Sequence, residues 1–308
     1  MLSRRTLLFT SPAVAMAQSS LRGFFEVAGP LPDHNPQAPL DVESLLEQDM
    51  PAYTRRKIRY RALPGNPVYA WLLIPKKANG KAALCLHQTT SIGKNEPAGM
   101  GGKPNLFYGQ ELAERGYLCL APDYPSFGDD HSDFPKEVFG VGYVSGTMKG
   151  IVNHRRGVDL LLQEGARSVV AIGHSLGGHN AIFVSACDPR IKATVSSCGF
   201  TAMAKYYSGN LKGWSSPRYM PRISTEYGSD PKKLPWDFPD LLRAIAPRGL
   251  FVNAPLRDSN FDNSGVRDCV EAVRNQFPGK ALEAVYPDCE HDFPPEVRQQ
   301  AYAFLDRY

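Results

Sequence analysis

Residues 169–178, Val-Val-Ala-Ile-Gly-His-Ser-Leu-Gly-Gly, constrain this chain more than any other stretch. Four apolar residues suited to a buried strand run straight into Gly173, His174, Ser175, Leu176 and Gly177, and an alanine-containing helical stretch follows. Gly-x-Ser-x-Gly is common by itself. Between a β-run and a helix it reads as a turn so tight that Cβ atoms two positions either side of the serine would collide with the neighbouring strand and helix. The serine then sits on strained backbone above the end of a sheet, and the first amides of the helix point at the group it meets. A hydroxyl held in this way is suited to nucleophilic attack once a base lies within reach.

The base and its partner are sought at later strand ends. Residues 249–254, Gly-Leu-Phe-Val-Asn-Ala, read as another buried strand that opens into the polar loop Pro255, Leu256, Arg257, Asp258. Residues 282–286 form the next strand and lead to Asp288, Cys289, Glu290, His291 and Asp292. His291 is the only histidine in the last hundred residues, so one base is possible. The expected roles are attack on an acyl carbon by Ser175, proton transfer by His291, and orientation of the imidazole by Asp258. Asp262 and Asp288 compete for the acid role. Asp258 is preferred because it lies nearest the strand end, whereas Asp262-Asn263-Ser264 has helix-capping composition. Asp292 is too close to His291 in the chain to turn back to its far nitrogen. Backbone donors for an oxyanion are expected from Leu176, after the nucleophile, and from the loop Leu86-His87-Gln88-Thr89-Thr90, with Gln88 favoured and Thr89 as the alternative. His87 is read as ordering that loop, not as a second base.

Composition narrows the setting. The 308 residues are 43% hydrophobic, enough to bury a full core, and the 26 prolines and 27 glycines fit a fold rich in loops. A formal charge of +4 gives little electrostatic attraction for nucleic acid or a membrane surface. The basic run Arg55-Arg56-Lys57-Ile58-Arg59 reads as a solvated edge strand. Residues 1–17 read as an export signal, with paired Arg4 and Arg5, a short apolar stretch and an Ala15-Met16-Ala17 cleavage site. The arginine pair resembles a twin-arginine signal, which predicts a periplasmic or secreted protein. Six cysteines would permit disulfides after export. Cys85, Cys119 and Cys198 nevertheless lie in apolar strand runs, Cys187 and Cys269 in helical ones, and no spacing suits zinc, so free thiols and no metal are expected.

Along the chain, residues 18–56 read as an N-terminal arm and linker with one helical piece near residues 42–48. Residues 58–63 and 68–75 form a hairpin pattern around Pro64-Gly65-Asn66-Pro67. Strands and helices then alternate, which predicts a mostly parallel sheet of about eight strands, covered on both faces, with ligands beyond its carboxyl ends. A long insert at about residues 201–236, after the sixth predicted strand, has the length and aromatic content of a lid or binding segment. Trp214 and Arg218 within it, and Tyr124 after an earlier strand end, are the expected substrate contacts.

Leu84-Cys85-Leu86-His87-Gln88-Thr89, Ile92-Gly93-Lys94-Asn95-Glu96, Ala121-Pro122-Asp123-Tyr124, the Ser175 pentapeptide and Glu290-His291-Asp292-Phe293 together resemble dienelactone-hydrolase-related and acetyl-xylan-esterase-like α/β-hydrolases. The resemblance runs in order over residues 57–308, which would form the α/β-hydrolase domain. It implies a serine nucleophile, no cofactor, and short-acyl or carbohydrate esters as substrates. The dienelactone enzymes use a cysteine nucleophile, and Ser175 departs from them towards the esterase branch. Two other functions fit parts of the pattern: a prolyl-oligopeptidase-like serine peptidase, for which the chain lacks room for a propeller, and a catalytically silent binding protein on the same fold. The partner expected is a small-molecule or carbohydrate ester, with neither nucleic acid nor stable membrane insertion.

Overall fold

A computed structural model describes residues 20–63, 66–131, 136 and 142–308. The export signal expected at residues 1–17 lies outside the described residues, as does the Pro64-Gly65 half of the hairpin turn. Among the described residues, nine strands form one sheet in the order β1-β2-β3-β5-β4-β6-β7-β8-β9. In chain order these are β1 (Glu43–Asp49), β2 (Tyr53–Leu63), β3 (Asn66–Pro75), β4 (Lys81–Leu86), β5 (Leu118–Pro122), β6 (Ser168–His174), β7 (Ile191–Ser197), β8 (Gly249–Asn253) and β9 (Leu282–Val285). From β5 through β9 every neighbouring pair is parallel, and β1, β2 and β3 add an antiparallel flank.

The helices divide between the two faces. They are α1 (Arg22–Ala28), α2 (Tyr108–Glu114), α3 (Gly146–Gln163), α4 (Leu176–Cys187), α6 (Phe238–Ile245), α7 (Asn263–Glu271) and α8 (Pro295–Leu305), with the four-residue turn Arg222–Thr225 counted as α5. Leu112 of α2 and Val297, Ala301 and Phe304 of α8 bury against Ala83, Val170, Val195 and Phe251 of the sheet. On the other face α4 is buried along its whole length, because the sheet lies on one side of it and α3 and α6 on another. A helix covered all round needs apolar residues all round, and Ala181, Ile182, Phe183, Val184 and Ala186 supply them.

The N-terminal region corrects the sequence reading. Residues 42–48 contain good helix formers, yet Glu43–Asp49 is the edge strand, paired antiparallel with β2. The register sets Glu43 opposite Arg59 and Glu47 opposite Arg56, and Arg56 Nε and Glu47 Oε2 are 2.7 Å apart. The basic run of β2 is therefore the second strand in the sheet, not its edge: β1 matches two of its charges, Arg56 and Arg59, while Lys57 pairs with Asp129 in the loop after β5. Phe24 of α1 is fully buried, 5.2 Å from the Phe183 ring and 5.1 Å from that of Trp236. Residues within 18–56 thus belong to the packed fold rather than forming only an arm. No described helix is long and apolar enough to cross a membrane.

Candidate active site

Strand β6, next to the central β4, ends at His174, and the chain reverses into α4 within one residue. That residue, Ser175, has φ 54° and ψ −118°, a conformation side chains rarely adopt. Its amide donates to Ser197 O at 2.8 Å, which ties the turn to the end of β7. The flanking glycines are required by contact. A Cβ on Gly173 would lie 2.2 Å from Gly177 O, and one on Gly177 would lie 1.8 Å from Leu86 O at the end of β4. The sheet and α4 therefore close on the turn, and Ser175 faces a cavity beyond the strand ends.

His291 and Asp258 meet at the same rim. His291 Nδ1 lies 2.9 Å from Asp258 Oδ2 and 3.0 Å from Oδ1. An ionised carboxylate only accepts, so Nδ1 carries the hydrogen and Nε2 of the neutral ring keeps a lone pair. Asp258 is further held by the amides of Asn260 at 2.8 Å and Phe261 at 3.2 Å, which donate to its Oδ1. The other carboxylates have different partners. Asp262 caps α7, accepting from Ser264 N at 2.8 Å, and the Ser264 hydroxyl holds its pKa below the usual range. Asp288 pairs with Arg257 at the surface. Asp292 accepts from Asn105 Nδ2 at 2.7 Å.

Behind this pair lies a buried layer that sequence reasoning missed. Asn253, the last residue of β8, donates from Nδ2 to Ser197 Oγ at 2.8 Å and to Asp292 O at 2.9 Å, pinning the loop that carries His291. His174 Nδ1 contacts the same Ser197 Oγ at 2.9 Å. The His174 ring packs 4.7 Å from the His291 ring, and Phe261 stacks on His291 at 6.0 Å. Burial holds the pKa of His174 well below that of a free histidine, and the neighbouring His291 and Lys103 charges push it the same way. Ligand atoms of His174, Cys198 and His291 lie within 4.8 Å of one another, a grouping that could hold a metal. His174 Nδ1, Cys198 Sγ and His291 Nδ1 are already engaged, with Ser197 Oγ, Asp292 O and Asp258 respectively, and among the described residues the two Nε2 atoms are not. The hydrogen-bonded pairs His174–Ser197, Asn253–Ser197 and Asn253–Asp292 span 23, 56 and 39 residues, and no local spacing signals the layer.

The cavity has a volume of about 310 Å³, and its wall includes Ser175, Leu176, His291, Gln88 and Thr89. Both predicted oxyanion donors, Leu176 and Gln88, thus border it. His87 orders their loop: Tyr124 N donates to its Nε2 at 2.9 Å, and its Nδ1 therefore donates to Gln88 O at 2.6 Å. The insert supplies Tyr206, Tyr207, Gly213, Trp214 and Tyr219 to the wall, with Asn260 and Phe261 opposite. Of the three expected substrate contacts, Trp214 lines the cavity and the other two do not. Tyr124 is buried behind it, donating its hydroxyl to Arg218 O at 2.8 Å. Arg218 donates to Ser126 Oγ at 2.7 Å and covers the Phe127 ring at 4.8 Å. These two residues stitch the insert to the loop after β5. The wall also includes His179, whose position one helical turn after Ser175 is the signal that could have found it.

A model of the alpha/beta hydrolase family matches residues 99–303, well over half of the chain, and the chain belongs to that family. Among solved structures it is similar to a glucuronoyl esterase from Solibacter usitatus, with a TM-score of 0.72 and 16% identity, covering 94% of this chain and 91% of that one. An acetyl xylan esterase from Paenibacillus sp. R4 superposes with a TM-score of 0.61 at 20% identity, covering 100% and 96% of the two chains. In sequence the chain is 27% identical over 305 residues to the protein YtaP of Bacillus subtilis (strain 168), covering 92% of this chain and 97% of that one. The protein is an alpha/beta hydrolase whose structural neighbours include esterases.

Proposed function

We propose that the protein is an exported serine hydrolase that cleaves carboxylic esters through Ser175, His291 and Asp258. The reading is carried by one observation: the His291–Asp258 hydrogen bond leaves Nε2 as the free nitrogen at a cavity that Ser175 also lines. Ser175 Oγ adds to the ester carbonyl carbon while His291 Nε2 removes its proton. The oxygen that becomes negative is stabilised by the amides of Leu176 and Gln88. His291 then protonates the departing alcohol oxygen, leaving an acyl-Ser175 ester. Water, deprotonated by the same nitrogen, adds to that ester and releases the acid with Ser175 regenerated. Asp258 remains ionised throughout and stabilises the imidazolium. Small esters, including short-acyl and carbohydrate esters, suit a cavity of this volume, and the esterase neighbours support the same substrate class. Export rests on the paired arginines and Ala-x-Ala site of residues 1–17.

The test is release of p-nitrophenol from p-nitrophenyl acetate by the purified protein. The expected result is saturable turnover that disappears in Ser175→Ala. Turnover that survives this substitution, or cleavage of Xaa-Pro anilides in place of esters, would overturn the proposal.

A further inference from the structure

His179 is the buried group of the cavity wall that the chemistry above leaves unused. Its Nδ1 lies 3.1 Å from the carbonyl oxygen of Gly199. A carbonyl only accepts, so Nδ1 carries the ring's hydrogen. Burial keeps the ring neutral, with its pKa pushed down to about 3. Nε2 is therefore a fixed acceptor, and no described residue hydrogen bonds it. His179 follows Ser175 by four residues on α4, roughly 6 Å along the helix. Helical side chains lean towards the N-terminus, so the ring tilts back towards the nucleophile.

The rest of this wall narrows what the nitrogen could meet. Its large side chains are aromatic: Tyr206, Tyr207, Trp214, Tyr219 and Phe261. Trp214 packs 4.7 Å from the His179 ring itself. Among the described residues, no lysine, arginine, aspartate or glutamate lines the cavity. A carboxylate-bearing acyl group would find no cation there and would be desolvated without compensation. A second, more open cleft of about 600 Å³ also borders His291, and Lys103, Arg257, Glu290 and Asp292 give it a charged lining. His291 must protonate the departing alcohol, so the charged cleft suits the alcohol and the aromatic cavity suits the acyl group.

We infer that the cavity selects small hydroxyaromatic acyl groups, of the hydroxybenzoyl type, whose hydroxyl donates to His179 Nε2 while the ring lies among the aromatic side chains. This rests on the esterase reading above and names the acyl class for the same site. The flat ring matches the aromatic walls, and the donor at its far end matches the fixed acceptor of His179 about one turn from the nucleophile. A site built around such a bond discriminates against an analogue lacking the donor, because its own polar group is then left unpaired.

The experiment compares kcat/KM of the full-length protein for methyl 4-hydroxybenzoate, methyl 4-methoxybenzoate and methyl benzoate, with p-nitrophenyl acetate measured alongside. Methoxy and hydroxyl groups donate electrons to the ring similarly, so their ratio reports recognition of the donor. The expected preference for the hydroxy ester is about tenfold or more over each analogue. His179→Phe should bring both ratios close to one, and His179→Gln, which restores an acceptor oxygen, should recover part of the preference. The wild-type ratios decide the matter even if a variant fails to fold. Ratios near one in the wild type, ratios unchanged in His179→Phe, or acetate turnover with every benzoate inert would overturn the inference and leave the esterase reading intact. No turnover of any ester would overturn the esterase reading itself, and this inference with it.

Discussion

The carboxyl rim of the sheet and its antiparallel edge use the same residue types to opposite ends. At the edge, Glu43, Glu47 and Asp41 meet Arg59, Arg56 and Arg61 as exposed pairs. At the rim, the Asp258 side chain is 1% exposed and binds one histidine, while Asn253, Ser197 and His174 are buried behind it. Exposed pairs gain little in free energy, and their contribution here is to favour one register of β1 on β2. Buried hydrogen bonds in a dry site fix orientation, which is what proton transfer requires. Charge at the edge selects a pairing, whereas polarity at the rim selects a geometry.

The sharpest way to break this contrast is to remove the base. His291→Ala should lower kcat for p-nitrophenyl acetate by about 10⁴- to 10⁶-fold with thermal unfolding little changed, measured by steady-state kinetics and calorimetry. A second comparison sets two nearby carboxylates against each other. Asp258→Asn should cost about 10⁴-fold in kcat, since the amide no longer enforces the Nδ1–H tautomer. Asp262→Asn should leave kcat within a few-fold and stability nearly unchanged, because asparagine also caps helices. A reversal of the two would move the acid role to Asp262.

Acid should distinguish the two regions next. The pKa values of His154 and His179 are pushed down to about 3 by burial, and burial also lowers those of His87 and His174. As pH falls from 6.5 towards 3, the unfolded chain binds protons that these folded rings refuse. Stability present above pH 6.5 is therefore lost on acidification, at up to about 1.4 kcal/mol per pH unit for each group. The thermal midpoint should drop by several degrees per unit below about pH 6. A midpoint that stays level down to about pH 4.5 would contradict the buried neutral histidines. The smallest effect belongs to the edge. Glu47→Gln should change stability by less than about 0.5 kcal/mol, with the difference shrinking in high salt and kcat unaffected.

The contrast also explains what could be read from the sequence. The convergence of Ser175, Asp258 and His291 was legible because each follows a strongly apolar strand, and the parallel sheet brings the ends of β6, β8 and β9 to one rim. The strands 249–253 and 282–285 fall within one residue of expectation for the same reason. β1 was not legible. Leu45, Leu46, Glu47 and Gln48 favour a helix locally, and the arginines that make them a strand lie on a different segment. Propensity lost to tertiary pairing there. The strand count rose from about eight to nine, and the insert follows the seventh strand rather than the sixth. Arg218 and Tyr124 show the converse. Their residue types suggested substrate contact, but each is satisfied by the protein itself. A side chain's chemistry can be read in isolation, whereas its availability depends on the partners that folding supplies.

The central claim is that Ser175 is a nucleophile activated by His291. Its most direct test is intact-mass and peptide mapping after exposure to a fluorophosphonate. The account predicts one adduct per chain, on Ser175, forming at least 10³-fold more slowly in His291→Ala, on the order of the loss of general-base catalysis. An adduct on another residue, no adduct at all, or labelling of Ser175 at the same rate without His291 would contradict it.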